Sequence, residues 1–132
     1  IQRSWQPGDT VSCEMEMEPE RVYAHPMVRA DAGCVALRRG PIIYTFEGVD
    51  NGEDLQTLRI PREAKIEALP YQADLLEGIV ALRVTGCRKK MAVNPALYAE
   101  DAAPEEMVTL RAIPYYAWCN RGMTHMRVWM QE

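Results

Sequence analysis

The sequence predicts an all-β domain: an antiparallel, jelly-roll-like β-sandwich with little helix. Three observations lead there. Apolar residues recur at every second position, most plainly where Val11, Cys13, Met15 and Met17 alternate with Thr10, Ser12, Glu14 and Glu16. Short extended runs follow one another between breaks such as Pro7-Gly8, Asp31-Ala32-Gly33 and Gly40-Pro41. A length of 132 residues allows one core but not two.

Taken in order, Ile1 to Trp5 reads as the end of a strand, and Trp5-Gln6-Pro7-Gly8-Asp9 as a turn. Thr10 to Met17 reads as a half-buried strand with its charges in water. Arg21 to His25 is a short extended piece stopped by Pro26, with a second around Met27–Arg29. Cys34 to Arg38 and Ile42 to Glu47 are strands separated by Arg39-Gly40-Pro41, where a strand can bend between sheets. Ile42 to Phe46 is apolar on both faces and is expected to be the most buried strand. A polar loop covers Gly48 to Asp54.

Leu55 to Ile60 and Lys65 to Leu69 are weaker strand candidates around Pro61, and Leu75 to Gly78 is short and ambiguous. Ile79 to Thr85 alternates cleanly. Lys89 to Pro104, with two prolines and several alanines, reads as a long loop holding at most one helical turn. Met107 to Ile113 and His125 to Met130 complete the set of strands.

The net charge of −4 is mixed along the chain, which disfavours nucleic acid as a partner. No apolar run approaches the roughly 18 residues of a membrane span. Four cysteines are scattered without a Cys-x-x-Cys pair. Cys13, Cys34 and Cys87 lie in or beside apolar strand patterns and read as small hydrophobes, implying a reduced, cytoplasmic setting. The even count leaves disulfides open. The first residue is Ile1 rather than Met, so the chain reads as a processed product or a piece of something longer.

Each candidate for chemistry has a plainer reading beside it. Glu14, Glu16, Glu18 and Glu20 form an acidic ladder that could hold a glycosidase pair, but alternate residues of one strand face solvent with nothing to raise one pKa. Glu47, Asp50, Asn51, Glu53 and Asp54 are calcium-type donors without EF-hand spacing. His25 and His125 lack a neighbouring nucleophile motif; His25 reads as an orienting hydrogen-bond partner and His125 as exposed. Arg88-Lys89-Lys90 is too short a basic cluster to bind nucleic acid.

Ile113 to Gly122 packs Tyr115, Tyr116 and Trp118 into four residues, followed by Asn120 and Arg121. If extended, Tyr116 and Trp118 share one face and Tyr115 takes the other. Core packing is the favoured reading of these rings. A sugar-binding platform is the alternative, because aromatic faces stack on sugars and Tyr and Trp also hydrogen-bond.

Three segments carry a resemblance. Arg3-Ser4-Trp5-Gln6-Pro7-Gly8-Asp9-Thr10-Val11 resembles the R-x-W-x-x-G-D-x-V element of glycoside hydrolase family 127, the β-L-arabinofuranosidase-like enzymes. Ala36 to Tyr44 is similar to that family's A-L-x-R-G-P-[IV]-V-Y segment, and Ile113 to Gly122 with Met126-Arg127-Val128-Trp129 to its I-P-Y-Y-x-W-x-N-R-G…M-x-V-W signature. Cys119 departs from the small residue, Ala or Gly, expected there.

The resemblance implies a long enzyme in which an (α/α)6 barrel holds a Cys nucleophile and a zinc site with Cys and Glu ligands. No position here matches those residues, so no catalytic residue, metal ligand or cofactor is assigned to this chain. Residues 1–132 resemble a single C-terminal β-sandwich domain, a fragment of a larger glycoside hydrolase. Its implied partner is the enzyme's own barrel, or a second copy in a homodimer. Tyr115, Tyr116, Trp118, Asn120 and Arg121 are the candidate interface or sugar contacts.

Overall fold

The structure, a computed structural model, describes residues 1–90 and 97–132. Among the described residues nine strands carry the fold: β1 (Pro19–Val22), β2 (Cys34–Arg39), β3 (Ile42–Glu47), β4 (Leu58–Arg59), β5 (Ile66–Ala68), β6 (Leu82–Lys89), β7 (Glu105–Pro114), β8 (Met126–Arg127) and β9 (Met130–Gln131). A single α-helical turn among the described residues, α1 (Gly48–Asn51), follows β3 directly. The chain is therefore all-β with little helix.

Hydrogen bonding joins the strands into one mixed sheet in the order β1-β2-β9-β4-β6-β7-β3-β8, with β5 added on β6. The β4–β9 pairing is parallel and the others are antiparallel. Strands β2 and β3 also pair directly at Arg38↔Ile43 and Arg39↔Ile42, so the path meets itself in a ring. Gly40-Pro41 is therefore the two-residue turn of a tight hairpin rather than a passage between sheets. Gly40 sits at φ +57°, the left-handed conformation that such turns require and glycine adopts without steric cost.

Beyond that turn β2 and β3 splay apart. Cys34 and Val35 pair with Gln131 and Met130 of β9, while Phe46 and Glu47 pair with Arg127 and Met126 of β8. The 126–131 segment thus fills the open end of the hairpin. The longest ladder is β6–β7, running from Leu82↔Ala112 to Lys89↔Glu105. Within it Gly86 meets Leu110 so closely that an added Cβ would lie 2.4 Å from Leu110 Cδ1 and 3.0 Å from the Arg59 carbonyl oxygen. Only glycine fits that crossing.

One apolar cluster fills the ring: Val35, Leu37, Tyr44, Phe46, Leu55, Leu58, Ile60, Leu82, Val84, Leu110, Ala112 and Met130. Burying such side chains supplies about 1.5–3 kcal/mol each relative to exposure. The expectation for β3 holds in part: Tyr44, Thr45, Phe46 and Glu47 are all buried, but Ile43 is exposed and β2 buries as many residues. The Tyr44 hydroxyl is satisfied by donating to the Val80 carbonyl at 2.8 Å, and burial raises its pKa.

Several local expectations change. Thr10–Met17 is not a strand: its apolar residues find no sheet in this chain, and Val11, Cys13 and Met15 are exposed. Cys13 is therefore not a core hydrophobe, whereas Cys34 and Cys87 are buried free thiols. Ile1–Trp5 is likewise without strand structure. Extended pairing begins at Pro19, ahead of the expected Arg21, since Pro19–Val22 is the stretch in register with Ala36–Arg39. A 3-10 turn at Arg29–Asp31 replaces the short piece around Met27–Arg29.

The expected loop at Gly48 opens with α1, and a 3-10 turn at Leu55–Thr57 shortens the next strand to Leu58–Arg59. Of the Lys89–Pro104 loop, residues 97–104 carry no helix or strand, Lys89 itself ends β6, and residues 91–96 lie outside the described residues. No helix among the described residues is long and apolar enough to cross a membrane.

Candidate functional site

Strand β7 delivers the aromatic segment to one end of the ring. After Pro114 the backbone tightens into a 3-10 turn at Tyr115–Ala117, closed by the Trp118 N–H donating to the Tyr115 carbonyl at 3.2 Å. A 3-10 turn has a period near three, so the alternating faces expected of an extended chain do not form. Its inward residue is the small one, Ala117, which packs with Ile79, Ala81 and Ile113 in a second apolar cluster. The rings point outward: Tyr115 is 45% exposed, Tyr116 65% and Trp118 36%. The core reading of these three rings is therefore overturned within this chain.

The second half of the segment is tied down by charge. Glu47 ends the buried half of β3 and is 1% exposed. Its Oε1 accepts the Cys119 backbone N–H at 2.7 Å, and its Oε2 meets the Arg121 guanidinium. Arg121 also donates to Asp50 Oδ1 at 2.9 Å and contacts Oδ2. The Asp50 hydrogen bond raises the Arg121 pKa most; burial opposes it and Glu47 adds to the rise. The Val49 N–H donates to Thr124 Oγ1 at 3.1 Å, and the Gly48 N–H to the His125 carbonyl at 2.9 Å. The aromatic turn is thus fixed to α1 on both sides.

Asn51 continues that brace into the sheet. Its Nδ2 donates to the carbonyls of Glu47 (2.9 Å) and Arg111 (2.8 Å), while its Oδ1 accepts the Arg111 N–H at 2.8 Å. One side-chain amide therefore serves β7 as a neighbouring strand residue would. From the sequence alone Asn51 is only a calcium-type donor, because its partner Arg111 lies 60 residues away. A usable signal was Glu47 itself, a lone carboxylate ending an apolar strand that needed a buried cation.

The candidate contact residues separate. Tyr115 lines an apolar hollow of about 570 Å³ with Ile43, Met126, Val128 and Trp129. Tyr116 lines a more polar one with Leu76, Glu77, Ala117 and Asn120. Leu76 and Glu77 hold left-handed backbone there, at φ +51° and +62°. Asn120 Nδ2 donates to the Ala117 carbonyl at 3.2 Å, and Arg121 is taken up by the carboxylates. No single three-ring platform brings Tyr115 and Tyr116 together.

Other candidates stay apart from this site. Glu14, Glu16, Glu18 and Glu20 are exposed, and Glu20 pairs with Arg38 at 2.7 Å. His25 Nδ1 accepts the Met27 N–H at 3.2 Å, an orienting role, and His125 is exposed, 3.9 Å from Glu53. Glu47 and Asp50 face Arg121, leaving the calcium-type loop without its donor set. Among the described residues no three His, Cys, Asp or Glu side chains converge on a metal position.

Fold and site together define an all-β accessory-type domain, whose distinctive surface is a ring-bearing turn braced by an ion-pair cluster. Residues 19–131 match the family model of the glycoside hydrolase family 127 C-terminal domain. The chain belongs to that family.

A non-reducing end β-L-arabinofuranosidase of Bifidobacterium longum subsp. longum is 38% identical over 132 residues, covering 95% of this chain and 20% of that protein. A GH127 β-L-arabinofuranosidase from Geobacillus stearothermophilus T6 superposes with TM-score 0.84 at 49% identity, over 88% of this chain and 18% of that one. A second solved GH127 β-arabinofuranosidase gives TM-score 0.74 at 32% identity, over 88% and 17%. The chain thus spans about a fifth of the length of these relatives.

Proposed function

We propose that this domain is a non-catalytic accessory part of a β-L-arabinofuranosidase-type glycoside hydrolase, packing against the catalytic portion through its aromatic end. One observation carries the reading: Ile43, Tyr115, Met126, Val128 and Trp129 form an apolar hollow at the surface, beside a turn whose backbone is rigidly braced. Exposed apolar patches rimmed by polar groups mark interaction sites. Catalytic chemistry, including any zinc, is assigned on this reading to the portion outside these residues.

Two measurements test it. The 132-residue chain alone should show no arabinofuranoside hydrolysis. In the longer protein, amides of residues 113–129 should exchange more slowly than in the isolated chain, and Tyr115→Asp should loosen that protection. Equal exchange in both, or turnover by the isolated chain that tracks a mutation within it, refutes the proposal. Protection that depends on protein concentration points instead to a second copy on this face.

The polar hollow favours a second reading, a carbohydrate-binding module. Tyr116 offers a stacking face there and Asn120 and Glu77 offer hydrogen-bonding groups. Of the three candidate rings, Tyr116 is the one that lines this hollow. Titration with arabinose oligosaccharides tests it: Tyr116→Ala should abolish the response, and no response at millimolar sugar removes the reading.

A further inference from the structure

Residues 10–17 carry the clearest strand pattern of the sequence, yet pair with no strand among the described residues, Met17 alone resting beside Gly40. Val11 is 56% exposed and Met15 76%, with Cys13 exposed between them. The turn before them is already formed. The Asp9 N–H donates to the Gln6 carbonyl at 3.0 Å, and the Gln6 N–H to Asp9 Oδ2 at 2.9 Å. Arg3 pairs with Asp9 at 2.9 Å and lies 5.0 Å over the Trp5 ring. A made turn thus leads into an arm with a strand's alternation and no pairing strand among the described residues.

The matched family domain begins at residue 19, so this arm lies outside it. The relatives are about five times longer than this chain. We infer that residues 10–17 form a strand of a β-sheet belonging to the remainder of the longer protein, added along an open edge of that sheet. Val11, Cys13 and Met15 lie against its apolar face, and Glu14 and Glu16 face water. Strand addition satisfies the arm's backbone donors and acceptors, and the alternate side chains select the face. A second copy of the arm is the poorer occupant. It would bring together two acidic faces, each carrying Glu14 and Glu16, which like-charge repulsion opposes.

This inference rests on the domain working within a longer enzyme, but it is read at a different place from the aromatic face. Hydrogen exchange on the full-length protein should show the 10–17 amides slowed at least about tenfold below unstructured-chain rates. Met15→Lys should remove that protection, while Glu16→Lys, on the solvent face, should keep it. Unstructured rates at residues 10–17 overturn the inference even where residues 113–129 are protected. Protection that appears only as concentration rises also overturns it, because the partner would then be a second copy. Loss of protection at 113–129 alone leaves the strand standing and refutes the docking face.

Discussion

Glu47 Oε1 accepts the backbone N–H of Cys119 at 2.7 Å, joining the end of β3 to a turn 72 residues further along the chain. The same carboxylate meets Arg121, so one buried anion sets both the backbone and the charge of the aromatic turn. Exposed rings ordinarily cost entropy to hold still. Here their backbone is positioned in advance, which lowers the cost of presenting them to a partner.

Removing the cation should be costly. Arg121→Met keeps much of the stem but leaves Glu47 and Asp50 facing each other without a counter-charge. Breaking a buried pair costs roughly 3–5 kcal/mol, and the partial exposure of Arg121 places this case near about 2–3 kcal/mol. Urea unfolding of Arg121→Met, Glu47→Gln and the double variant should show the double costing less than the sum of the singles. Additive losses would separate the two residues energetically.

Asn51→Ala should cost about 2–3 kcal/mol, because it orphans the Glu47 and Arg111 carbonyls and the Arg111 N–H around one buried position. Asn51→Asp should be at least as harmful, since it sets an acceptor against two carbonyl oxygens. The Arg111 amide is the local probe, and faster hydrogen exchange there should accompany the lower unfolding midpoint.

Cys119 sits at φ +64°, where a side chain costs roughly 1–2 kcal/mol and glycine costs nothing sterically. Glycine's extra freedom in the unfolded chain offsets part of the gain. Cys119→Gly should therefore stabilise by about 0.5 kcal/mol, and Cys119→Val should destabilise by about 1 kcal/mol. Thermal melts in reducing buffer check the order of the three proteins.

Acid should weaken the fold through particular carboxylates. Hydrogen bonds from Lys65 and Arg83 lower the Glu67 pKa, and that from Arg59 lowers the Glu105 pKa. Burial pushes Glu132 up, but Tyr23, Arg62 and Arg21 together carry it down. Groups depressed on folding contribute stability that is full above their ordinary value of 4.5 and lost as pH falls through the lower folded values. Unfolding midpoints should be level down to about pH 5 and then decline. Glu105→Gln should flatten that decline, and an unchanged slope would remove Glu105 from the account.

Legibility in the sequence followed how locally each element is determined. Strands β2 and β3 were readable because their burial pattern is written in consecutive residues, whereas β6 was read only over Leu82–Thr85, its run from Gly86 to Lys89 breaking the alternation. The Tyr115–Ala117 turn was not, since a 3-10 turn after Pro114 has no distinctive alternation and its rings resemble core residues by type. The Glu47, Asn51 and Arg121 brace depends on contacts between residues far apart in sequence, which no window of neighbours contains. Thr10–Met17 failed for a different reason: alternation specifies a face, but a strand also needs a neighbour, and these residues join no sheet among the described residues.

The hairpin of β2 and β3 is made early and left gaping, and the gap is filled by residues 126–131. Until those residues emerge from the ribosome, both lips of the gap carry unsatisfied ladder groups. The ring can therefore close only after residues 126–131 have been synthesised. Long-range closure of this kind makes folding slow, because the loop entropy is lost before the contacts that compensate it form. A nascent domain waiting for its final strand presents β-edges that a chaperone, or another nascent chain, can occupy.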